Sequence, residues 1–316
     1  MRAWAPVKAL LQRAWFGPLL ALLLLYASFW ALAPDTFPSG VNLLTMLRQT
    51  AVVAVVAIGM TLVIIQGGID LSVGSSVALS TVVVARALRA GAPVGWAVAC
   101  GIAVPALAGL CNGGLIGRLR IPPFIVSLGS MSLLRGAAKG LAGEQKIDTD
   151  PQGLDAWMSS AAHGPFPLGV WLAIVCACAA AVLLRKMRFG RYVLAIGSNE
   201  QAARLCGVPV VRVRVLVYTL MGALAGLAGV LEFATLTVGD PTDSIGLELE
   251  VIAAGVVGGA SLSGGQGSIL GTLIGALLMT EIRTGCTHVG LPNWVQEIVT
   301  GAIIVVAVAL DRWRHR

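Results

Sequence analysis

Long apolar runs follow one another along almost the whole chain, with short polar connections between them. The hydrocarbon core of a bilayer is about 30 Å thick, so an α-helix needs roughly 20 apolar residues to cross it. Ten runs of suitable length lie at 15–33, 49–66, 71–90, 93–117, 122–141, 166–184, 213–233, 248–262, 267–285 and 294–310. The pattern predicts an all-α, polytopic integral membrane protein with about ten transmembrane helices.

Composition excludes a water-soluble globular domain. Only 12% of the 316 residues are charged and 57% are hydrophobic, whereas soluble domains carry roughly 25% charged residues. No small-residue cleavage site follows the first apolar run, so an uncleaved first helix is expected. We predict a single transmembrane domain over 1–316, with a short cytoplasmic arm at 1–14, a cytoplasmic loop at 185–214 and a basic tail at 311–316.

Charged residues orient the predicted helices. Lys and Arg concentrate in the N-terminal arm, in the 185–214 loop and at the C-terminus, whereas 232–250 holds five acids and no Lys or Arg. Cytoplasmic loops accumulate Lys and Arg, so both termini are predicted to be cytoplasmic and the 142–165 and 234–248 loops to face outward. Two basic pairs near the outer side fit this scheme less well: Arg86 with Arg89, and Arg135 with Lys139.

Two glycine-rich segments interrupt the apolar pattern. The first reads Gly-Gly-Ile-Asp-Leu-Ser-Val-Gly-Ser over 67–75, and the second reads Gly-Gly-Ala-Ser-Leu-Ser over 258–263. Irregular backbone survives inside a bilayer only where protein or a watery cavity shields it, and an ionisable residue there indicates a functional site. The predicted translocation-pathway residues are Gly67, Gly68, Asp70, Ser72, Gly74, Asn112, Gly258, Gly259, Ser261 and Ser263.

The two glycine-rich segments resemble each other. At an offset of 191 residues, 67–81 aligns with 258–272, with seven identities in fifteen positions: Gly67/Gly258, Gly68/Gly259, Leu71/Leu262, Ser72/Ser263, Gly74/Gly265, Leu79/Leu270 and Thr81/Thr272. Paired interruptions of this kind indicate the substrate route of a transporter. The pattern therefore predicts a duplicated interruption of the helices. We call the two glycine-rich segments the first break, beginning at Gly67, and the second break, beginning at Gly258.

Simpler explanations exist for the same residues. Glycines also allow close helix packing, which is the role expected for Gly222, Gly226 and Gly229. Asp70 could be a solvated N-cap at the cytoplasmic mouth, or it could gate the pathway. These two roles of Asp70 are compatible.

The 185–214 loop contains the signals of one short helix at about 199–206. Ser198 or Asn199 can cap it, Glu200 suits its first turn, and Gly207 followed by Pro209 ends it. Its apolar members are Ala202, Ala203, Leu205 and Cys206. Such a helix suits docking into a groove on a partner protein, or it could lie on anionic lipid headgroups.

Over roughly 45–310 the sequence resembles the permease subunits of bacterial ABC importers for monosaccharides such as ribose, xylose, arabinose and galactose. The resemblance rests on several motifs: Gly59-Met60-Thr61-Leu62-Val63-Ile64 before Gly67-Gly68-Ile69-Asp70-Leu71-Ser72-Val73-Gly74, Asn112-Gly113 before Ile121-Pro122-Pro123-Phe124-Ile125, Gly197-x-Asn199-x-x-Ala202-Ala203-x-x-x-Gly207, and Gly258-Gly259-x-Ser261-Leu262-x-Gly264-Gly265-x-Gly267-Ser268.

This resemblance implies a multi-pass subunit of the bacterial inner membrane. It implies three protein partners: a periplasmic sugar-binding protein, an ABC ATPase and a second permease chain, identical or similar. Nucleic acid is not an expected partner. The implied ATPase-coupling residues are Asn199, Glu200, Ala202, Ala203 and Gly207. The family pattern has one residue fewer after the glutamate, which weakens the assignment of Glu200.

Catalysis by this chain is not expected. The Gly-rich stretch at 264–268 lacks the lysine of a phosphate-binding loop, so no cofactor is assigned to the chain and ATP-Mg is assigned to the partner ATPase. The cysteines and histidines show no zinc-type spacing, and no metal site is predicted. Polar candidates for contacts with a neutral sugar are Gln66, Ser72, Ser76, Asn112, Ser127, Ser130, Ser261 and Ser263. The alternative is a self-contained secondary carrier or channel with Asp70, Glu232 or Glu281 as proton-coupling sites.

Overall fold

A computed structural model describes residues 16–159 and 165–314, without the side chains of 307 and 310–314. The predicted N-terminal arm at 1–14 lies outside the described residues, as do the last two residues of the predicted tail. The described helices are α1 Phe16–Leu32, α2 Gly40–Ile65, α3 Val73–Arg89, α4 Val94–Arg118, α5 Pro123–Ala142, α6 Leu168–Lys186, α7 Arg188–Ser198, α8 Glu200–Leu205, α9 Val210–Leu236, α10 Leu247–Val257, α11 Ile269–His288 and α12 Asn293–Arg314.

The all-α architecture is confirmed. Each of the ten apolar runs coincides with a helix, and the remaining two helices, α7 and α8, lie in the 185–214 loop. Within the described ranges, five helices are long and apolar enough to cross a membrane: α2, α4, α6, α9 and α11. The chain is therefore a multi-pass membrane protein, and the count of about ten spans stays a prediction.

Helix α2 is the centre of the bundle. Every residue from Thr50 to Ile65 is buried, which explains why this run is apolar on all sides rather than amphipathic. Helices α9 and α11 pack against it, and α4 packs against α9.

Glycines allow close contact between neighbouring helices, as predicted for 222–229. A Cβ at Gly222 would meet the Pro105 carbonyl of α4, and one at Gly226 would meet Ile102. Gly229 lies against Ser80 of α3, whose hydroxyl donates a 2.9 Å hydrogen bond to the Gly226 carbonyl. The packing role of these glycines is confirmed.

Helix α10 corrects the prediction of a full span at 248–262. It has only 11 residues, which rise about 16 Å, or roughly half of the bilayer core. The glycines at 258–259 end the helix, and an irregular segment at 258–268 follows before α11 begins. Hydropathy missed this because Ala260 and Leu262 continue the apolar pattern beyond the end of the helix.

The connection between α9 and α10 corrects the outward placement of the whole 234–248 loop. A two-residue strand, β2 (Val238–Gly239), pairs antiparallel with β1 (Ile147–Asp148), which joins the two predicted outer loops. Beyond β2 the chain runs along α3 toward the N-terminal end of that helix, so that Ser244 contacts Gly74 in the first turn of α3. Because the opposite end of α3 is the predicted outer end, the second half of this loop lies inside the bundle.

Candidate functional site

The first glycine-rich segment begins where α2 ends. Gly67 has a left-handed backbone (φ 83°), and its N–H donates to Ile64 while the Gly68 N–H donates to Val63, at 2.8 and 2.9 Å. This pattern is a Schellman helix end, which favours glycine at the left-handed position. A Cβ at Gly68 would lie only 2.6 Å from the Tyr218 hydroxyl oxygen. Both glycines are therefore needed for backbone geometry and close packing.

A chain of polar side chains leads away from this break. One Asp70 carboxylate oxygen accepts hydrogen bonds from the Ser72 N–H at 2.9 Å and the Ser72 hydroxyl at 2.6 Å. The side-chain amide of Asn112 on α4 donates to the Ser72 hydroxyl at 3.4 Å, and its Oδ1 accepts a 2.5 Å hydrogen bond from the Ser130 hydroxyl of α5. Three predicted pathway residues thus come together with Ser130.

The structure contradicts a solvated helix cap for Asp70. The N-cap position of α3 is Ser72, and Asp70 precedes it by two residues and is only 2% exposed. The neighbouring Ile69 carbonyl accepts a 3.4 Å hydrogen bond from Tyr218, eight residues into α9 and therefore about 12 Å along that helix. Asp70 lies within the helix bundle rather than at its mouth.

The second glycine-rich segment begins with the same Schellman geometry. Gly259 has φ 92°, its N–H donates to Val256, and the Ala260 N–H donates to Gly255, both at 2.9 Å. The geometry therefore matches Gly67 to Gly259 rather than to Gly258, which is an offset of 192 instead of 191. Because four other helices end in this way, the duplication stays a prediction: they end at Gly91, Gly143, Gly207 and Gly290.

The second break contacts the end of α2, two residues before the first break. The Gly265 N–H donates a 2.8 Å hydrogen bond to the carbonyl of Ile65, the last residue of α2. Nearby, the hydroxyls of Thr61 and Thr272 are 2.7 Å apart. The segment at 258–268 is therefore attached to the end of α2, while Asp70 is linked to α4 and α5.

The 185–214 segment contains two helices where the sequence predicted one. Helix α8 confirms the short capped helix: the Asn199 side chain accepts from the Ala202 N–H at 2.9 Å, and Gly207 stops it in a left-handed conformation (φ 79°). Helix α7 was missed because the sequence predicted one long connection over 185–214 with a single short helix. The apolar spacing of Phe189, Val193 and Ile196 was the available signal for it.

The predicted apolar members of α8 lie on different sides of the helix. Ala203 is 5% exposed and packs inward, whereas Ala202 and Cys206 face outward. Leu205 is 90% exposed. A nearly fully exposed leucine beside an exposed alanine forms a small apolar surface that suits contact with a partner protein.

Glu200 holds α8 against α9. Its carboxylate lies 2.6 Å from Arg204 and 2.7 Å from Arg214 of α9. Partial burial raises the pKa of Glu200, but the hydrogen bonds from these two arginines outweigh it and place the pKa below its ordinary value of 4.5. Glu200 therefore positions α8.

We expect the Glu200 ion pairs to stabilise the protein only above acidic pH. A lowered folded-state pKa contributes stability that is present above the unfolded-state value and lost as pH falls through the folded-state value. Glu200→Gln should lower the free energy of unfolding by about 1 kcal/mol at pH 7 and by less at pH 4, which lies below the ordinary pKa of 4.5. Thermal unfolding in detergent at both pH values measures this, with Glu144→Gln as control; equal effects at the two pH values would contradict it.

Gly197, in the last turn of α7, lies against both the end of α2 and the second break. A Cβ on this residue would collide with the Ile65 carbonyl oxygen and with the Gly265 N–H, the two groups that join the second break to the end of α2. The neighbouring Ser198 side chain also contacts Gly265. We call the meeting point of Ile65, Gly197 and Gly265 the junction. The sequence placed Gly197 in a motif but gave no sign of this contact.

Arg135 explains one of the basic pairs that fitted the orientation scheme poorly. Its guanidinium on α5 donates to the carbonyls of Pro241 and Asp243, at 2.9 and 2.7 Å. An arginine among membrane helices pairs in this way with backbone carbonyls. Arg135 therefore holds the second half of the 234–248 loop against α5 through these two hydrogen bonds.

Arg135→Gln should destabilise the protein by about 2 kcal/mol, because hydrogen bonds from a charged donor to two carbonyls are lost. The expected result is a fall of a few degrees in the midpoint of thermal unfolding in detergent, whereas Lys139→Gln, at an exposed position one turn further along the same helix, should change it little. An unchanged midpoint for Arg135→Gln would show that the loop is held by other contacts.

The three acids considered for proton coupling lie on separate elements. Asp70 is in the first break, Glu232 is in α9 and Glu281 is in α11. Within the described part of the chain no hydrogen bond or ion pair joins any two of them, and neither buried Glu281 oxygen has a hydrogen-bond partner. The structure thus shows no continuous carboxylate relay among the described residues.

Residues 42–308 match the model of the family described as branched-chain amino acid transport system / permease component. The chain is 40% identical over 296 residues to the ribose import permease protein RbsC of Escherichia coli K12, which covers 93% of this chain and 92% of the relative. It is 36% identical over 315 residues to the L-arabinose ABC transporter permease protein AraH of Azospirillum brasilense (99% and 91%). It is 35% identical over 305 residues to the fructose import permease protein FrcC of Rhizobium meliloti (94% and 84%). No solved structure matches the chain significantly.

Proposed function

This chain belongs to the branched-chain amino acid transport system / permease component family, and from this premise we propose that it is the permease subunit of an ABC importer for a monosaccharide. Relatives at 35–40% identity over most of the chain are import permeases named for ribose, L-arabinose and fructose. The chain forms the membrane pathway, and ATP hydrolysis occurs on a separate ATPase subunit. A periplasmic binding protein delivers the sugar, and a second permease chain completes the pathway.

The junction is the observation that supports this mechanism best. It joins the end of α7 to the last residue of α2 and to the second break, through Gly197, Ile65 and Gly265. The coupling helix α8 follows α7 after the single residue Asn199. Movement of α8 by the ATPase would therefore reach both breaks without an intervening flexible linker. A self-contained carrier has no evident need for this arrangement.

The polar chain from Asp70 to Ser130 is the proposed pathway surface. A neutral sugar requires hydrogen-bonding groups rather than a charged pocket, and Ser72, Asn112 and Ser130 provide hydroxyl and amide groups. Asp70 orders Ser72 at the start of this chain. ATP binding would close the ATPase pair, shift α7 and α8 at the junction, and change access to this surface.

The orientation completes the proposal. Both termini and the α7–α8 segment face the cytoplasm, where the ATPase lies. The parts of the 142–165 and 234–248 loops joined by β1 and β2 face the periplasm, together with the ion pair between Lys146 and Asp240 (3.0 Å). These loops are the proposed contact for the binding protein.

Asp70→Asn separates the importer from the alternative carrier. The amide keeps an acceptor for Ser72 but loses charge assistance, which about halves the strength of such hydrogen bonds. We expect ATP-driven sugar uptake into proteoliposomes to fall severalfold, with a protonophore having no effect on either protein. Asp35→Asn, at an exposed position between α1 and α2 and outside both loops, is the control. If uptake needs no ATP, is abolished by the protonophore and loses proton coupling in Asp70→Asn, the carrier is correct.

A further inference from the structure

A cleft of about 340 Å³ lies between α6, α7 and the segment that leads into α11. This volume falls within the range of about 300–1,000 Å³ that holds small-molecule ligands. Its lining includes Leu184 and Arg185 of α6, Arg191 and Leu194 of α7, and Ser268 and Leu270 at the start of α11. The cleft is separate from the hydrogen-bonded side chains that link Asp70 to Ser130.

The cleft is positively charged. Two arginines, Arg185 and Arg191, line it and no acid does. Among the ion pairs and hydrogen bonds of the described residues, neither guanidinium has a partner. Helix α11 also begins here, and its first N–H groups add positive potential. Arginine forms paired hydrogen bonds with phosphate oxygens.

One wall of the cleft is apolar and continues onto the outside of the bundle. Leu270 is 49% exposed, and on α6 Val182 is 53% and Val175 is 62% exposed. In a membrane protein, exposed apolar side chains on a spanning helix face acyl chains. A ligand with an anionic head in the cleft and an apolar tail along α6 would satisfy both features.

We propose that this cleft binds the phosphate headgroup of an anionic phospholipid, with an acyl chain along α6. A basic pocket between helices at the cytoplasmic surface suits such lipids. A bound lipid would bridge α6 and α7 beside the junction and would stabilise the coupling segment. Inorganic phosphate shares the headgroup chemistry but lacks the acyl chain.

Spin-labelled lipids test the proposal with the full permease in phosphatidylcholine vesicles. The motionally restricted fraction of labelled phosphatidylglycerol is compared with that of labelled phosphatidylcholine, in wild type and in Arg185→Gln/Arg191→Gln. The control, Lys186→Gln/Arg188→Gln, removes the same charge from neighbouring exposed residues outside the cleft. We expect wild type to prefer phosphatidylglycerol, and the cleft variant to lose roughly fivefold in relative affinity for each arginine removed, with the control near wild type.

Three results would overturn the proposal. Equal losses of relative affinity for phosphatidylglycerol in both variants would indicate an effect of general surface charge. If millimolar inorganic phosphate removes the preference for phosphatidylglycerol, the cleft is a site for free phosphate. An unchanged lipid preference in the cleft variant, together with weaker co-purification of the ATPase, would assign the cleft to the partner protein.

Discussion

Replacing Gly197 by alanine is expected to reduce ATP-driven sugar uptake at least tenfold. The added Cβ would collide with backbone atoms on both sides, the Ile65 carbonyl and the Gly265 N–H. Backbone atoms cannot rotate away as a flexible side-chain end can. The collision would disrupt the 2.8 Å hydrogen bond that joins the second break to the end of α2. Overpacking and the loss of a buried hydrogen bond each cost about 1–3 kcal/mol.

The control for this change is Gly114→Ala. Gly114 also lies in a helix, α4, but nothing would lie within 4 Å of its added Cβ. Uptake should be close to wild type in this variant and strongly reduced in Gly197→Ala. ATPase binding should be retained in Gly197→Ala, because the change lies behind α8. Uptake of Gly197→Ala within twofold of wild type would contradict the role of the junction.

Introducing charge on the outward face of α8 should separate the permease from its ATPase. In Ala202→Glu/Leu205→Glu both side chains lie on the surface, and Leu205 is 90% exposed. The fold should therefore be unaffected, while loss of a central apolar contact and burial of charge should weaken ATPase binding at least about thirtyfold. Titration of the purified subunits measures the affinity.

Val289→Glu controls for the added charge, because Val289 is also exposed and lies at the opposite end of the bundle, after α11. Its affinity for the ATPase should equal that of wild type. Unchanged affinity in the α8 variant would assign this face to lipid headgroups. Ala203, by contrast, is a poor target because its side chain is buried, so a large residue there would disturb the fold as well as docking.

The sequence predicted local features well because apolar run length and capping residues act locally. Each of the ten apolar runs contains a helix, and the capped helix at α8 is present, with Asn199 as its cap. The length of α10 was missed because an apolar pattern does not report where backbone hydrogen bonding stops. Helix α7 was missed because the criterion of apolar run length does not detect a helix of only 11 residues.

The candidate site was harder to predict because its contacts join residues far apart in sequence. Asp70, Asn112 and Ser130 were recognised individually as polar residues in apolar surroundings, but not as one hydrogen-bonded chain. The contact of Gly197 with Ile65 and Gly265 depends on how three segments pack, which no local pattern encodes. The inward course of the 234–248 loop likewise depends on its partner Arg135, a residue that had fitted the orientation scheme poorly.

The most direct test of the central claim is the ATP dependence of transport by the permease with the proteins that accompany it. The tagged chain is purified gently from its native membranes, the associated proteins are identified, and the preparation is placed in vesicles with labelled sugars and the binding protein. We predict that an ABC ATPase co-purifies and that a sugar enters only when ATP is supplied. A chain that purifies alone and moves sugar without ATP would contradict the account.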